Sequence, residues 1–498
     1  MDVSQVFATT PDAALFKGML SPASMREPQF LPPPAPGSVT SAPPVLIPDH
    51  IYRAALDPRV PVTIAALYAV TAKLLNWYNT SNSKKPWAIS RTRLFHVFIV
   101  VHNIFLAVYS AWTFYGMVGV MRRSVVNPWG PEGLNGFVDS MTRLHGPAGL
   151  GNAVYYNQQD AQWTSYSGSV ALASDGTPSR TDLGRIWNEG LAFYGWIFYL
   201  SKFYEVLDTL IILAKGKQSS VLQTYHHAGA MMCMWAGMRY MSPPIWMFVF
   251  VNSGIHAMMY TYYTLSAFSI RVPVFIKRTL TSLQITQFLV GASYAMIHSF
   301  VSYSLPVTKT VVQDATAPVA TSVDADNSVP ASGPAFLDNL KQMVLGLASK
   351  VTTSVAEQAT SAEANAEPEQ STTTQETIYT QEIVPCINTT GQTFAIWLNV
   401  LYLAPLTYLF VKFFITSYLR RSSAGSAQGK GKGSRESQVT VAEKAGWDAA
   451  QSIQQEVYGE GSSSNQANGV AAANGQANGK ASSRVPKPVT TPRRSRHA

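Results

Sequence analysis

The chain has 498 residues, of which 47% are hydrophobic and only 13% are charged. An average soluble protein has about 25% charged residues, so this composition argues against a soluble protein. The net charge is +9, from 37 Lys and Arg against 28 Asp and Glu, and in a membrane protein such an excess is typical of cytoplasmic loops rather than of a nucleic-acid surface. Cys233 and Cys386 are the only cysteines, which excludes a disulfide framework and a CxxC zinc site.

Three polar segments flank or interrupt the apolar blocks. Residues 1–59 are rich in Pro, Ser and Ala, lack the pattern of a cleavable signal peptide, and are expected to be disordered except for a short amphipathic piece at 46–57. Residues 305–392 form a polar lumenal insert, expected to be disordered apart from an amphipathic helix near 336–355. The tail, residues 420–498, is rich in Gly, Ser, Asn and Gln and is also predicted to be disordered.

The apolar remainder predicts an all-α, polytopic membrane protein. A helix needs about 20 mainly apolar residues to cross a bilayer core of about 30 Å, and seven segments meet this length. Spans one to six then lie within residues 60–304, and span seven within 393–419. The predicted spans are residues 60–78, 94–120, 188–214, 219–240, 244–268, 281–304 and 393–419.

The orientation of the spans is predicted from loop charge. Residues 121–187 have five Arg against five Asp and Glu, and residues 307–391 are acidic, whereas the alternate loops are basic. Because basic loops face the cytoplasm, we expect a lumenal N-terminus and a cytoplasmic C-terminus. Asn388, followed by two Thr, is then a lumenal glycosylation acceptor close to span seven. The basic loop residues are Lys84, Lys85, Arg91, Arg93, Lys215, Lys217, Arg271, Lys277, Arg278, Arg420 and Arg421.

Polar side chains cluster in spans three to six. Ionisable groups within a span are costly and mark functional sites by default. Lys202 and Glu205 are three residues apart and can pair on one helix face, with Asp208 a turn further on. His226 and His227 are adjacent, so they point about 100° apart on a helix. The polar set is Lys202, Glu205, Asp208, Thr209, Gln223, His226, His227, Asn252, His256, Tyr260, Tyr263, Thr281, Gln284 and Gln287.

The residues alone leave several functions open. Such a cluster is typical either of an ion-pair ladder that fixes helix packing or of a polar active chamber. A neutral imidazole can act as a base, a nucleophile or a metal ligand, but membrane di-iron enzymes use several histidine boxes and this chain has nine histidines. Cys233 lies two turns from His226, although a lone thiol in an apolar helix is typical of packing. A receptor, channel or transporter also fits seven spans, but it needs no such density of acids, bases and amides.

Four motifs follow one another along these spans. They read Lys202-x-x-Glu205-x-x-Asp208-Thr209, Gln223-x-x-His226-His227, Asn252-x-x-x-His256-x-x-Met259-Tyr260-x-Tyr262-Tyr263 and Thr281-x-x-Gln284-x-x-Gln287. In this order they resemble the ELO family of very-long-chain fatty acid elongases, and the resemblance covers roughly residues 60–304 and 393–419. Gln223 stands where the family's box usually begins with His, and this variant resembles a subset of elongases from lower eukaryotes that often act on polyunsaturated chains. The overall resemblance is to the fungal type. The insert at 305–392 also departs from the family's short connection.

The resemblance implies a seven-helix protein of the endoplasmic reticulum membrane, with six helices in a barrel around an acyl tunnel. It implies condensation of a long-chain acyl-CoA with malonyl-CoA to 3-oxoacyl-CoA, CO2 and CoA, the first step of microsomal elongation. No metal and no redox cofactor is expected in this step. A 3-ketoacyl-CoA reductase, a 3-hydroxyacyl-CoA dehydratase and an enoyl-CoA reductase would complete the cycle as partners, and no nucleic acid is expected.

The resemblance and the residue chemistry together assign candidate roles. His226 matches the family's acyl-accepting histidine, and His256 is expected to act near the malonyl unit. Asn252 and Tyr260 would hold a developing oxyanion. The other polar groups would shape the chamber or bind substrate: Asp208, His227, Lys202, Glu205, Gln223, Tyr263, Gln284 and Gln287. Cations at the cytoplasmic mouth would bind CoA phosphates, although the positive-inside rule alone also accounts for them: Lys215, Lys217, Arg271, Lys277 and Arg278.

Overall fold

The computed structural model describes residues 5–19, 27–167, 170–313 and 374–415. The described chain is mostly helical and also contains five β-strands. Helices are numbered here in chain order: α1 Ala13–Gly18, α2 Asp49–Ala55, α3 Arg59–Ser81, α4 Arg93–Ser124, α5 Gly133–Thr142, α6 Ala192–Tyr204, α7 Val206–Ala214, α8 Val221–Arg239, α9 Ile245–Ala267, α10 Val274–Ile297 and α11 Thr390–Phe414.

Three of these helices are long and apolar enough to cross a membrane, namely α3, α4 and α11. Their apolar side chains remain exposed in the protein, as in Leu67 at 63%, Leu94 at 79% and Leu401 at 68%. Exposed apolar stripes of this kind are suited to lipid contact, because exposing so much apolar surface to water is unfavourable. The coarse expectation of a helical membrane protein is therefore confirmed, while the count of seven spans stays a prediction.

Two predicted spans differ from the helices observed. The segment 188–214 is not continuous: it begins with a π-helical turn at Trp187–Leu191, where Gly190 has φ 143°, and breaks again between α6 and α7. The segment 281–304 was predicted to be helical throughout, but α10 ends at Ile297 and a strand begins at Val301. Alternating side chains at 301–305 suit a paired strand, and this pairing overrides the apolar character that suggested a longer helix.

The all-α expectation is incomplete, because five strands form two small antiparallel sheets. Strands β1, β4 and β5 lie in the order β1-β4-β5, and β2 pairs with β3. Part of the insert expected to be disordered is thus a hairpin, with Ser302 opposite Pro385 and Gln313 opposite Thr374. The predicted helix near 336–355 and the tail 420–498 lie outside the described residues. The strands are β1 Val6–Ala8, β2 Val154–Asn157, β3 Gln162–Ser165, β4 Val301–Gln313 and β5 Thr374–Pro385.

Residues 27–58 are packed against the helices, so the expectation of disorder was wrong for residues 27–45. Leu31, Tyr52 and Leu56 are buried. Tryptophan side chains of the bundle donate to the backbone of this segment, Trp187 to Leu31 at 3.0 Å and Trp235 to Leu56 at 2.8 Å. The Pro-rich composition that suggested disorder instead gives an extended strap whose carbonyl groups accept hydrogen bonds, and α2 lies within the predicted amphipathic piece.

A polar cluster joins the sheets to the helices. The Asp139 carboxylate accepts from Arg185 at 2.7 Å and from the Tyr303 hydroxyl at 2.7 Å. Arg143 donates to Tyr303 at 3.1 Å and also to the side chain of Asn388 and the backbone of Pro385. Asn388, the predicted glycosylation acceptor, therefore uses its side-chain oxygen in this network. We call the four residues Asp139, Arg143, Arg185 and Tyr303 the sheet-end cluster.

Helix neighbours define where the interior lies. Helix α4 packs along α9, α9 against α10, α10 against α11, α11 against α8, and α8 against α6, while α3 lies beside α8 and α7. At the end opposite the sheets, the turn at Gly216 comes so close to the backbone of Lys84 that a Cβ atom would lie 2.4 Å from the Lys84 oxygen. Only glycine fits there, because its φ is also 77°. This turn joins two of the basic loops.

Candidate active site

The break between α6 and α7 places a buried ion pair inside the bundle. Glu205 is the junction residue, and its Oε1 accepts from Lys202 Nζ at 2.7 Å and from Ser201 Oγ at 3.2 Å. The Lys202 ammonium also lies 4.1 Å from the Phe198 ring centroid and 3.4 Å from Asn252 Oδ1 on α9. Both charged side chains are almost fully buried. The Lys202–Glu205 pair confirms the prediction from their spacing. Through Asn252, Lys202 also contacts the motif on α9.

The same carboxylate connects two of the predicted histidines. Glu205 Oε1 lies 3.5 Å from His256 Nδ1 on α9, and Glu205 Oε2 lies 3.9 Å from His227 Nδ1 on α8. One acidic group is therefore shared by an ammonium and two imidazoles from three helices. This arrangement lets the carboxylate stabilise positive charge on either ring if it takes up a proton.

A second carboxylate holds the tyrosine of the third motif. Asp208 Oδ2 accepts from the Tyr260 hydroxyl at 2.6 Å, and Asp208 Oδ1 lies 2.7 Å from His102 Nε2 on α4. His102 is 1% exposed. The next residue, Thr209, bonds instead to Tyr68 on α3 at 2.9 Å. Asp208 is thus fixed between α4 and α9, with both oxygens occupied.

His226 has different partners from His227, as adjacent helical positions require. Its Nδ1 lies 3.0 Å from the hydroxyl oxygen of Tyr402 on α11. The aromatic rings of Phe288 and Phe410 lie 6.4 and 6.5 Å from its ring centroid. The candidate nucleophile is therefore polar on one side and bordered by apolar rings on another, a setting that suits an acyl group.

One cavity gathers residues of all four sequence motifs. Its volume is about 50 Å³, and it lies between α7, α8, α9, α10 and α11. Leu222, Ile255, Phe288 and Phe410 form its apolar wall. We call it the histidine cavity; its predicted lining residues are Glu205, Asp208, Gln223, His226, His227, Asn252, His256, Tyr260, Gln284 and Gln287.

Several polar atoms at this cavity are buried without a hydrogen-bond partner within the described part of the chain. They are Gln287 Oε1 and both amide atoms of Gln223, whereas Glu205 Oε2 and His256 Nδ1 have only the long contacts of 3.9 and 3.5 Å described above. An unsatisfied buried polar group costs about 1–3 kcal/mol, so a cluster of them calls for an explanation beyond packing. A polar substrate that enters the cavity would satisfy these atoms.

A second cavity, of about 240 Å³, lies on the other side of Asp208. It is lined by α4, α7 and α9, with His96, Lys215, Tyr263 and Ser266 among its polar residues. Burial lowers the pKa of Lys215 below its usual value. Asp208 lines both cavities, so it forms part of the wall between them. The other predicted mouth cations are not among the lining residues of either cavity: Lys217, Arg271, Lys277 and Arg278.

Two further candidates from the sequence, Cys233 and Thr281, make contacts that are typical of helix packing. The Cys233 thiol is buried and lies 3.9 Å from the backbone oxygen of Leu398. Thr281 bonds to the backbone of Lys277 in its own helix at 3.2 Å. In the described ranges, no group of three or more His, Cys, Asp and Glu side chains is arranged to hold a metal ion.

Two residues of the site were missed in the sequence. His102 is an ionisable residue within a predicted span, so the rule that selected the other polar residues would also have selected it. Tyr402 gave no such signal, because a tyrosine in an apolar helix is typical of packing, and it follows His226 by 176 residues. Only the contact between α8 and α11 identifies it.

The comparisons with known proteins agree with the motifs. The chain is 36% identical over 110 residues to human "Very long chain fatty acid elongase 3", covering 22% of this chain and 41% of that protein. It is 32% identical over 127 residues to "Fatty acid elongase 2" of Trypanosoma brucei brucei, covering 25% and 46%. It is 34% identical over 102 residues to "Long chain fatty acid elongase 1" of Caenorhabditis elegans, covering 20% and 35%. The chain thus spans less than half the length of these relatives.

No solved structure matches the chain. The profile of the family described as "ELO: GNS1/SUR4 family" matches residues 54–426, which is most of the sequence. That match includes every residue of the histidine cavity and the helices that carry them. The chain belongs to the ELO family.

Proposed function

We propose that this protein is a fatty acid elongase that condenses a long-chain acyl-CoA with malonyl-CoA, giving 3-oxoacyl-CoA, CO2 and CoA. The observation that carries the proposal is the convergence of four motifs on one cavity, where several buried polar atoms have no hydrogen-bond partner among the described residues. The names of the relatives support fatty acid elongation in general. The reaction class is that of a 3-oxoacyl-CoA synthase, an acyltransferase.

In the first half-reaction, His226 attacks the thioester carbonyl of the acyl-CoA. A bond forms between an imidazole nitrogen and the acyl carbon, the carbon–sulfur bond breaks, and CoA leaves as a thiolate that takes up a proton. The acyl chain remains as an acyl-imidazole beside Phe288 and Phe410, whose rings border His226. This intermediate conserves the energy of the thioester for the next step.

In the second half-reaction, malonyl-CoA loses CO2 and the electron pair of the broken carbon–carbon bond forms an enolate. The enolate carbon attacks the acyl-imidazole, a new carbon–carbon bond forms, and His226 leaves with its electron pair and takes up a proton from water, which restores the neutral ring. His256 and Asn252 lie on one stripe of α9 and line the same cavity, so they are suited to hold the developing oxyanion. Tyr260 lies on the same stripe, but its hydroxyl hydrogen goes to Asp208, so it would help to fix the wall of the cavity. Glu205 would balance positive charge on His256 or His227.

Substrate would enter from the end of the bundle that carries the basic loops. Lys215 lines the second cavity beside Asp208, and with Lys217, Arg271 and Lys277 it provides cationic partners for CoA phosphates. Neither a metal nor a redox cofactor takes part in these steps. The product needs a 3-ketoacyl-CoA reductase, a 3-hydroxyacyl-CoA dehydratase and an enoyl-CoA reductase to complete an elongation cycle, and these enzymes are the proposed partners.

The same proposal includes seven spans in the endoplasmic reticulum membrane, with the N-terminus lumenal and the C-terminus cytoplasmic. The turn at Gly216 lies against the backbone of Lys84 and Lys85, so two of the basic loops are in contact, which supports this orientation. The order of neighbours α4, α9, α10, α11, α8 and α6 supports a six-helix barrel around the histidine cavity, with α3 outside it.

The experiment that tests the function is a microsomal assay in a host that lacks its own elongases. Labelled malonyl-CoA is supplied with a panel of saturated and polyunsaturated acyl-CoAs, and wild type is compared with His226→Ala. Label in 3-oxoacyl-CoA with wild type alone would support the proposal, and the panel would identify the substrate. No incorporation by well-expressed wild type would overturn it in favour of a non-enzymatic lipid transporter or receptor.

A further inference from the structure

The contact between α8 and α11 is built around one hydroxyl group. The Tyr402 hydroxyl oxygen lies 3.0 Å from His226 Nδ1 and 2.9 Å from the backbone oxygen of His226 itself. A single side chain of the last helix therefore contacts both the ring and the backbone of the residue proposed to carry the acyl group.

The two contacts fix the positions of the protons. A tyrosine hydroxyl has one hydrogen, and a backbone oxygen can only accept. If the hydroxyl hydrogen goes to the His226 carbonyl, the hydroxyl oxygen accepts from Nδ1, which must then carry the ring proton. The reverse arrangement would leave two oxygen atoms 2.9 Å apart with no hydrogen between them, which is unfavourable.

We propose that Tyr402 is a positioning residue that holds His226 as the Nδ1–H tautomer, so that Nε2 keeps the lone pair that attacks the thioester. The inference rests on the proposed function for the identity of the reaction, but the tautomer itself is a property of the protein alone. A neutral imidazole has one protonated and one free nitrogen, and the partner of one nitrogen decides the state of the other. In other nucleophilic sites, a third group orients the catalytic histidine. Tyr402 would orient His226 in the same way.

The packing around Tyr402 fits this role. A Cβ atom added at Gly229 would lie 2.1 Å from the Tyr402 ring, so only glycine lets the ring approach α8 this closely. Tyr225, one residue before His226, donates from its hydroxyl to the backbone oxygen of Tyr402 at 3.2 Å. The ring centroids of Tyr225 and Tyr402 are 5.5 Å apart. The space at Gly229 and the ring contact, both of which a phenylalanine at position 225 would keep, fix Tyr402 beside His226.

The arrangement also gives the last helix a part in the site. Helix α11 follows the insert 305–392, and none of the four sequence motifs lies on it. Through Tyr402 it supplies the partner of His226 Nδ1, and through Phe410 it lines the histidine cavity. The site is therefore incomplete without α11, however long the polar segment that precedes it.

The test compares Tyr402→Phe with Tyr225→Phe in the full-length protein purified in detergent. Both variants remove one hydroxyl from the same interface, but only the first removes the partner of His226 Nδ1. The first readout is acyl transfer from palmitoyl-CoA without malonyl-CoA, measured as CoA release. For Tyr402→Phe we expect the rate constant of this single turnover to fall about 10- to 100-fold, with the palmitoyl-CoA concentration for half-maximal rate unchanged, which is the usual cost of losing a ring-orienting partner. For Tyr225→Phe we expect a change within about twofold.

The second readout is the tautomer, measured by 15N NMR of protein labelled at histidine, with the His226 signals assigned by their loss in His226→Ala. Wild type and Tyr225→Phe should show protonated Nδ1 and free Nε2, and Tyr402→Phe should show a mixture. Wild type with protonated Nε2 would overturn the inference even if Tyr402→Phe does not fold. Equal losses of acyl transfer in the two variants, or an unchanged tautomer in Tyr402→Phe, would also overturn it. Wild type that transfers no acyl group would contradict the proposed function, while the NMR result would still decide the role of Tyr402.

Discussion

Two buried polar clusters of this protein use similar residues but differ in how completely those residues are hydrogen-bonded. In the sheet-end cluster, both Asp139 oxygens are bonded and Arg185 donates to the backbone of Pro147, Arg143 and Gly149 as well as to Asp139. At the histidine cavity, the amide of Gln223 and single atoms of other lining residues lack partners among the described residues. Both clusters contain buried carboxylates and cations, so charge alone does not mark the active site.

This difference in hydrogen bonding indicates whether a buried polar cluster serves stability or ligand binding. A fully bonded buried network fixes the structure around it and has no remaining capacity for a ligand. A partly bonded network beside a cavity destabilises the free protein and can recover that free energy when substrate binds. We therefore expect substitutions in the sheet-end cluster to change stability, and substitutions around the histidine cavity to change turnover.

The largest effect should come from Asp139→Ala. The change leaves Arg185 and Tyr303 buried without their shared acceptor, and breaking a buried pair in this way typically costs about 3–5 kcal/mol. Thermal unfolding in detergent should show the loss, while turnover per folded molecule stays near the wild-type value. Asp160→Ala, an exposed carboxylate, is the control and should change stability by about 0.5 kcal/mol or less. A stable Asp139→Ala protein would contradict the role of the sheet-end cluster.

Glu205→Gln should lower turnover as well as stability. The amide keeps the size of the side chain but no longer balances Lys202 or stabilises positive charge on His256 and His227. We expect condensation per folded molecule to fall about 100-fold, in the range of lost acid–base support, together with a loss of stability because Lys202 is left buried without its ionised partner. The matched control is Glu189→Gln, a buried carboxylate paired with Arg123 outside both cavities, which should lower stability and spare turnover. Similar losses of turnover in Glu205→Gln and Glu189→Gln would contradict a specific role of Glu205 in the reaction.

His145 offers a test of the sheet-end region through pH. Its ring lies between Trp163 and Trp187, and burial, with a smaller effect of Arg185, lowers its pKa from 6.5 to about 3. Because the unfolded chain binds the proton more tightly, stability is complete above pH 6.5 and is lost as pH falls toward 3. At about 1.4 kcal/mol per pH unit, the loss between pH 6.5 and 5 is roughly 2 kcal/mol.

His145→Phe keeps an aromatic ring between the two tryptophans and removes this titration. Unfolding midpoints measured at pH 7 and pH 5 should therefore differ less in the variant than in wild type. The same pH dependence in both proteins would show that other groups are responsible for it.

The smallest effect is expected for His102→Phe. The variant loses the 2.7 Å contact to Asp208 Oδ1, so the carboxylate that holds Tyr260 is less well fixed. We expect kcat to fall about tenfold, or about 1.4 kcal/mol, with partial recovery in His102→Gln, whose amide can reach the same oxygen. No recovery in the Gln variant would indicate that His102 acts through packing rather than through Asp208.

At the candidate site, the sequence predicted local contacts better than tertiary ones. Spacing along α6 and α7 was enough to pair Lys202 with Glu205, and adjacency was enough to separate His226 from His227. The partners of Asp208 and His226 were missed because His102 and Tyr402 lie far along the chain, on helices whose contact depends on tertiary packing. No local pattern encodes such a contact.

The errors in the fold have the same origin. Hydropathy identified where the helices lie, but it placed the end of α10 at residue 304 because it could not anticipate that β4 pairs with β1 and β5. Composition suggested disorder for 27–58 because proline-rich chains rarely form helices. The residues that fix this segment lie elsewhere in the chain: Trp187 donates to Leu31, and Trp235 donates to Leu56.

The most direct test of the account is to trap the acyl group on its proposed carrier. Purified protein is mixed with a long-chain acyl-CoA in the absence of malonyl-CoA, CoA release is followed, and the site of acylation is located by mass spectrometry. The account predicts a stoichiometric burst of CoA and an acyl group on the peptide containing His226, which malonyl-CoA then removes as 3-oxoacyl-CoA. A burst with the acyl group on Cys233, or condensation that proceeds without any acylated protein, would contradict it.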